Sequence, residues 1–289
     1  MSFRFLILAL VAICLLSCQK TTIDPINNLN GGVISVIGHG GGGFQSPLNK
    51  EPENSLSSIN KAIEIYNADG VEVDVQLSKD LNVILYHDDK LETSTNGNGF
   101  IYEYNLNELR QLKYDRDFYA KMLLDEHIIT LETILKRFSQ RNIKPQLHLD
   151  LRPWLFNDTI YNSTEFHNIY TDKIVETINK YNYQNFTYVA SGDLELLIKL
   201  NQKNPHLKLM LETDNVNWAV EIINKNNWHG IVAHNDRITK SEITYAHSKN
   251  VRIALFDIKI QSDIVDAVNK HPDYILTDNI IKLHQILYN

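Results

Sequence analysis

Glu72 and Asp74 stand two residues apart in Gly70-Val71-Glu72-Val73-Asp74-Val75-Gln76, a run that alternates strictly between apolar and polar side chains. Successive side chains of a strand point to opposite faces, so the valines share one face and Glu72, Asp74 and Gln76 the other. Two carboxylates on one face can bring their oxygens into one small volume, which suits a hard divalent cation. A second apolar run, Val83-Ile84-Leu85-Tyr86, ends on His87 and a polar loop, a usual place for a catalytic side chain. Pro145 to Pro153 repeats the device, with Leu147, Leu149 and Leu151 on one face and His148, Asp150 and Arg152 on the other. His39 follows the apolar stretch Val33–Gly38 and opens a run of four glycines, Gly40 to Gly43. Such a run lets the backbone take positive φ, and its N–H groups can form an anion nest. One acidic strand face could equally be the wet side of an antiparallel sheet. The recurrence of the pattern favours strands whose outer face meets covering helices and whose inner face turns polar at the mouth of a barrel.

The elements that would carry these residues alternate. Strands are expected near 34–38, 71–76, 83–87, 145–151, 186–191, 207–212, 230–234, 251–257 and 274–278. Helices are expected from Asn54 or Ser55 to about Tyr66 and at 171–181, 193–203, 216–226, 239–249, 261–270 and 280–287. Alternation of this kind builds parallel βα units and a closed α/β barrel. Nine strands are one more than eight, and the short piece Gly230 to His234 is expected to be the extra one. No helix separates 76 from 83. Residues 88–130 hold no long periodic run and read as a small insertion over the mouth. His234, His247 and His271 read as surface or loop histidines.

The front of the chain is targeting sequence. Arg4 precedes an apolar stretch from Phe5 to Leu16, too short for a comfortable membrane span, and Leu15-Leu16-Ser17-Cys18 resembles a bacterial lipobox. That resemblance implies a signal peptide at 1–17, lipidation of Cys18, and a polar tether to residue 32 ahead of a barrel at 33–289. The expected location is a membrane-anchored, exported lipoprotein. The two cysteines, Cys14 and Cys18, both lie in this front segment, so no disulfide partner is expected in the domain. A net charge of −7 argues against a nucleic-acid partner held by broad electrostatics.

The ordered set Ile37-Gly38-His39-Gly40-Gly41, Pro52-Glu53-Asn54-Ser55, Asp69 to Asp80, Tyr86-His87-Asp88-Asp89, Thr130 to Leu135 and Leu276-Thr277-Asp278-Asn279 resembles the glycerophosphodiester phosphodiesterase family. The resemblance implies a TIM (β/α)8-type barrel and hydrolysis of a small-molecule phosphodiester to an alcohol and glycerol 3-phosphate. It implies that His39 and His87 are the general acid and base, that Glu72 and Asp74 are metal ligands, and that Asp150 takes the place of a third carboxylate. Arg152 would contact the phosphate, Glu53 would be a nearby supporting carboxylate, and Phe256 would line the pocket where the family usually has Trp. A neighbouring hydroxyl of the substrate would attack first, giving a cyclic phosphate that water then opens. Oxygen ligands without cysteine or a dense histidine cluster suit Mg²⁺ or Ca²⁺ rather than Zn²⁺.

Three departures stand out. Gly40 replaces the family's phosphate-binding Arg, Asp150 replaces Glu, and Arg152 replaces Lys. Phosphate neutralisation would then rest on the metal, Arg152 and backbone N–H groups of Gly40 to Gly43, with Gly40 and Gly41 the phosphate-binding candidates. Two alternatives follow: a phospholipase-like enzyme for another lipid phosphodiester, or a lipoprotein that kept the pocket and lost catalysis with that Arg.

Overall fold

The computed structural model describes residues 23–44, 46, 49–115, 125–153 and 164–288. The expected signal peptide, Cys14 and Cys18 lie outside them. Ten strands occur in chain order: β1 (Ser35–Gly38), β2 (Gly70–Leu77), β3 (Val83–Leu85), β4 (Ile129–Thr130), β5 (Gln146–Leu151), β6 (Thr187–Ser191), β7 (Lys208–Glu212), β8 (Gly230–His234), β9 (Arg252–Ile258) and β10 (Tyr274–Thr277). All but β3 and β4 are parallel and close a barrel in the order β1-β2-β5-β6-β7-β8-β9-β10, with β10 returning to β1. Helices connect them: α1 (Leu56–Asn60, widening into a π-helical turn over Lys61–Ile65), α2 (Leu106–Leu109), α3 (Leu131–Phe138), α4 (Thr164–Lys180), α5 (Leu194–Lys203), α6 (Val216–Asn226), α7 (Lys240–Ser248), α8 (Gln261–Asn269) and α9 (Ile280–Tyr288). The architecture is a TIM (β/α)8 barrel. Side chains of Ser55, Thr130, Asp193, Asn215 and Thr239 cap their helices by accepting from a first-turn N–H.

The ninth expected strand is resolved differently from the sequence reading. Gly230–His234 belongs to the barrel, paired in register with β7 and β9. Its glycine is needed there, because a Cβ would stand 2.3 Å from the Arg252 carbonyl oxygen. The extra strand is β3. The eight-residue β2 runs on beyond its pairing with β5, turns through Leu81 at φ 63°, and β3 comes back antiparallel to it. A hairpin needs no crossover helix, which explains the missing helix between 76 and 83.

Alternation sorts the strand residues into two layers. Val71, Val73, Val75, Leu147, Leu149 and Leu151 point outward into the main core with Ile59, Leu135, Ile174 and Leu200 of the surrounding helices. Ile37, Tyr188, Met210, Val232, Ala254, Tyr274 and Leu276 fill the barrel. At its lower end the polar groups are paired. Lys208 Nζ reaches the Tyr188 hydroxyl at 2.9 Å, and His229 Nε2 lies 2.8 Å from the Tyr274 hydroxyl. The insertion has its own small core of Ile84, Tyr86, Leu91, Ile101, Leu109, Tyr114 and Ile128.

Two further expectations change. The stretch read as a tether is docked from Ile23 on: Ile23 and Ile26 pack on the main core, and Leu29 N–H donates to Asp273 Oδ1 at 2.8 Å. His247 lies in α7, not in a loop, with Nε2 2.8 Å from the fully buried Asp273, whereas His271 lies in the loop before β10 as expected and is buried there. Among the described residues, no helix is long and apolar enough to cross a membrane.

Candidate active site

Pairing of β2 with β5 puts Asp74 opposite Asp150 and Glu72 opposite His148. With their inner faces turned into the barrel, Glu72, Asp74 and Asp150 each offer an oxygen, and these oxygens lie within 4.8 Å of one another. Glu72 and Asp74 are buried. Burial and the neighbouring Asp74 push Glu72 up to about 8, against the pull of His39. The cluster is held by specific donors. Gly40 N–H donates to Glu72 Oε2 at 2.8 Å, and Asn54 Nδ2 donates to Asp74 Oδ2 at 2.7 Å while Asn54 Oδ1 accepts from Asp74 N–H. Arg152 Nε lies 2.7 Å from Asp74 Oδ1 and 3.0 Å from Asp150 Oδ2. Burial opposes its charge, but Asp74 and Asp150 outweigh that and hold the guanidinium protonated. The donor set fits a hard divalent cation. It is all carboxylate oxygen, and Asp150 Oδ1 is buried with no hydrogen-bond partner.

His39 sits at this cluster, and His87 stands across the Phe44 ring from it. His39 follows β1, with Nε2 4.0 Å from Glu72 Oε2 and Nδ1 3.0 Å from Asp278 Oδ1. Burial disfavours its charged form. The Asp278 hydrogen bond and the charges of Glu72, Asp278 and Asp74 prevail and raise it to about 9. His87 arrives on the returning chain: Tyr86 N–H donates to the Asp74 carbonyl, which brings the next residue back to the level of the triad. Gln76 Nε2 donates to the carbonyls of Tyr86 and Asp88 on either side of it, at 2.9 and 3.0 Å. His87 Nδ1 lies 3.1 Å from Asp88 Oδ1, and Ser94 Oγ donates to Asp88 Oδ2. A carboxylate only accepts, so in both histidines the Nδ1 position carries the proton and Nε2 is turned away from the anchoring carboxylate. The Phe44 ring packs against both, 4.4 Å from the His39 ring and 4.7 Å from that of His87, centre to centre.

The glycine loop does something other than the expected cradling of an anion. Gly40 and Gly41 N–H groups are spent on the Glu72 carboxylate and carbonyl, and Gly42 N–H on Ser58 Oγ. Gly40 has φ 60°, and a Cβ there would stand 2.9 Å from Glu53 Cβ and 3.2 Å from Phe44 Cε2. The space beside this glycine is thus already filled. Glu53 is buried behind it, on the side of Tyr86 and Tyr114, whose phenols feel its charge. Phe256 lines the pocket, together with His39, Glu72, His148, Asp150, Arg152 and Glu212.

Sequence reasoning missed Asn54, Gln76, Asp88, Asp278 and Glu212 as site residues. Asn54, Asp88 and Asp278 were inside quoted motifs, and the signal that could have found them is a polar residue at a strand end or in the loop after it. Burial and Asp150 push Glu212 up to about 7, with Arg152 pulling the other way. His234, expected at the surface or in a loop, ends β8 at the mouth, its ring 4.1 Å from that of Phe256. A roomier groove between Arg110, Lys136, Arg137 and Arg141 lies along α3 and lacks every one of these groups.

The sequence profile of the glycerophosphoryl diester phosphodiesterase family matches residues 39–282. A glycerophosphodiester phosphodiesterase of Bacillus altitudinis is 26% identical over 234 residues, covering 78% of this chain and 89% of that one. Another, of Caldanaerobacter subterraneus subsp. tengcongensis, is 28% identical over 160 residues, covering 55% of this chain and 60% of its own length, under two thirds. The fold is shared with an Oleispira antarctica phosphodiesterase solved in complex with the product sn-glycerol-3-phosphate, at a TM-score of 0.74 and 23% identity, covering 88% of this chain and 97% of that one. With the profile spanning the barrel from the first site histidine to its last helix, the chain belongs to the glycerophosphoryl diester phosphodiesterase family.

Proposed function

We propose that this protein hydrolyses glycerophosphodiesters to an alcohol and glycerol 3-phosphate, with a divalent cation, Mg²⁺ or Ca²⁺, held by Glu72, Asp74 and Asp150. The observation that carries the reading is a buried acidic triad with the Asp278-anchored His39 beside it and the Asp88-anchored His87 across the Phe44 ring from His39, in a chain of this family. Bound there, the cation neutralises phosphoryl oxygens and lowers the barrier to attack on the phosphorus. The rest is done by this chain's own groups. Arg152 supplies the second positive charge to the phosphate, replacing what Gly40 lacks.

The two histidines divide the proton work. His39, with Nδ1 held by Asp278, donates from Nε2 to the departing alkoxide oxygen. His87, with Nδ1 turned to Asp88, takes the proton of the attacking hydroxyl at Nε2. That hydroxyl belongs to the glycerol part of the substrate. The P–O bond to it forms as the P–O bond to the leaving alcohol breaks, and the cyclic ester is then opened by water with the histidine roles reversed. Cys18 carries the lipid that anchors the protein to a membrane, a role consistent with the apolar segment before it. Membrane recovery of the full chain, lost in Cys18→Ser, is the expected outcome of fractionation.

Two experiments test the chemistry. With Mg²⁺ and glycerophosphocholine, ³¹P NMR should show glycerol 3-phosphate accumulating, and His39→Ala or His87→Ala should each slow it by about 10²–10⁴-fold with the fold intact. Turnover at the wild-type rate in either variant contradicts the assignment. Imidazole NMR of the metal-free protein should place His39 deprotonation near 9, and lower it in Asp278→Asn. The sign follows from linkage. A folded-state value raised above 6.5 gives stability that is complete below 6.5 and lost as pH rises through 9. A midpoint near 6.5 in both proteins would contradict the role given to Asp278 in holding the His39 charge.

A further inference from the structure

The proposed chemistry leaves one pocket carboxylate without work. Glu212 ends β7, beside Val232 of β8, and Val232 is in turn beside Ala254 of β9. Two residues further along β9, Phe256 faces the same pocket. Among the described residues, Glu212 makes no hydrogen bond or ion pair. The cation that it faces is Arg152, which is already held by Asp74 and Asp150. A divalent ion and Arg152 together balance the triad, and the charged His39 is matched by Asp278. Glu212 is then a further acidic side chain, beyond the triad, in the half-buried pocket that Phe256 also lines. Such a space favours a substrate that brings its own positive charge.

Beside this carboxylate stands an aromatic wall. The Phe256 ring meets the ring of His234, whose backbone N–H and Nδ1 both approach Asp214 Oδ1, at 3.0 and 3.3 Å, while Arg237 reaches the other Asp214 oxygen at 3.2 Å. The ring is therefore backed by a fixed side chain. A carboxylate and an aromatic face in one pocket are the two groups that attract an ammonium ion.

We propose that Glu212 and Phe256 form a subsite for a positively charged alkylammonium head group on the leaving alcohol of the diester. The subsite rests on the phosphodiesterase reading above and narrows it. Zwitterionic diesters are preferred over those whose leaving alcohol is uncharged. The glycerol part and its attacking hydroxyl lie on the histidine and metal side.

The test compares kcat/KM, with Mg²⁺ present, for glycerophosphocholine, glycerophosphoethanolamine and glycerophosphoglycerol in the wild type, Glu212→Gln and Phe256→Ala. The ratio of the choline to the glycerol substrate should exceed one in the wild type and fall about tenfold in Glu212→Gln, chiefly through KM. Phe256→Ala should lower it in the same direction, more for choline than for ethanolamine. Equal losses on all three substrates in Glu212→Gln would place that carboxylate on the shared glycerol part and overturn the subsite. Turnover without head-group preference in the wild type overturns the subsite alone. No turnover of any of the three by folded, metal-loaded protein overturns the phosphodiesterase reading and the subsite with it.

Discussion

Three carboxylates packed within a few ångströms inside a barrel are the constraint around which this molecule is arranged. At an effective dielectric constant near 20, two like charges about 4 Å apart repel by about 4 kcal/mol. Burial of Glu72 and Asp74 adds the cost of lost hydration. The surroundings offset this with donors from every side: Arg152 on Asp74 and Asp150, Asn54 on Asp74, and Gly40 N–H and the charged His39 on Glu72. Burial and the neighbouring Asp74 still push Glu72 up, so the offset is incomplete. Against burial, the Asp278 hydrogen bond does most to hold the His39 imidazole protonated, and the charges of Glu72, Asp278 and Asp74 add to it.

The fold meets this constraint by register. Pairing Asp74 with Asp150 across β2 and β5 sends their outer neighbours, Val73 and Leu149, into the helix-covered core, so stability and chemistry come from alternate residues of the same strands. The second histidine needs another device. A helix after β2 would have carried the chain to the far end of the barrel. The β3 hairpin instead returns it at once, and Gln76 clamps the turn on both sides of His87. The insertion's separate core around Tyr86 and Tyr114 anchors that return.

Much of this was legible in the sequence because alternation has period two and needs no distant partner to read. The acidic faces of 71–76 and 145–151 follow from it, and the helices from 193 on follow from the separate 3.6-residue spacing of their apolar positions; the two together give the barrel class. What was not legible depends on contacts between residues far apart in the chain. Asp278 orients His39 across 239 residues, and Asn54 holds Asp74 across 20. Gly230–His234 looked expendable because it is short, and only its pairing with two neighbours marks it as a barrel strand. Gly40 looked like a lost arginine. The structure adds that its positive φ, its N–H bond to Glu72 and the adjacent Phe44 ring make the glycine part of how this site is built. Restoring a long side chain there would meet Glu53 and Phe44 before it met a phosphate.

The central claim is that the acidic triad acts by holding a divalent cation against a phosphodiester. The direct measurement is the hydrolysis rate of glycerophosphocholine by residues 19–289 as free Mg²⁺ or Ca²⁺ is raised from chelated to saturating levels, in the wild type and in Glu72→Gln. The account predicts a saturable rise from a negligible rate with chelator, and a response in Glu72→Gln that is weaker and shifted to higher metal concentration. The same rate with and without chelator would contradict it.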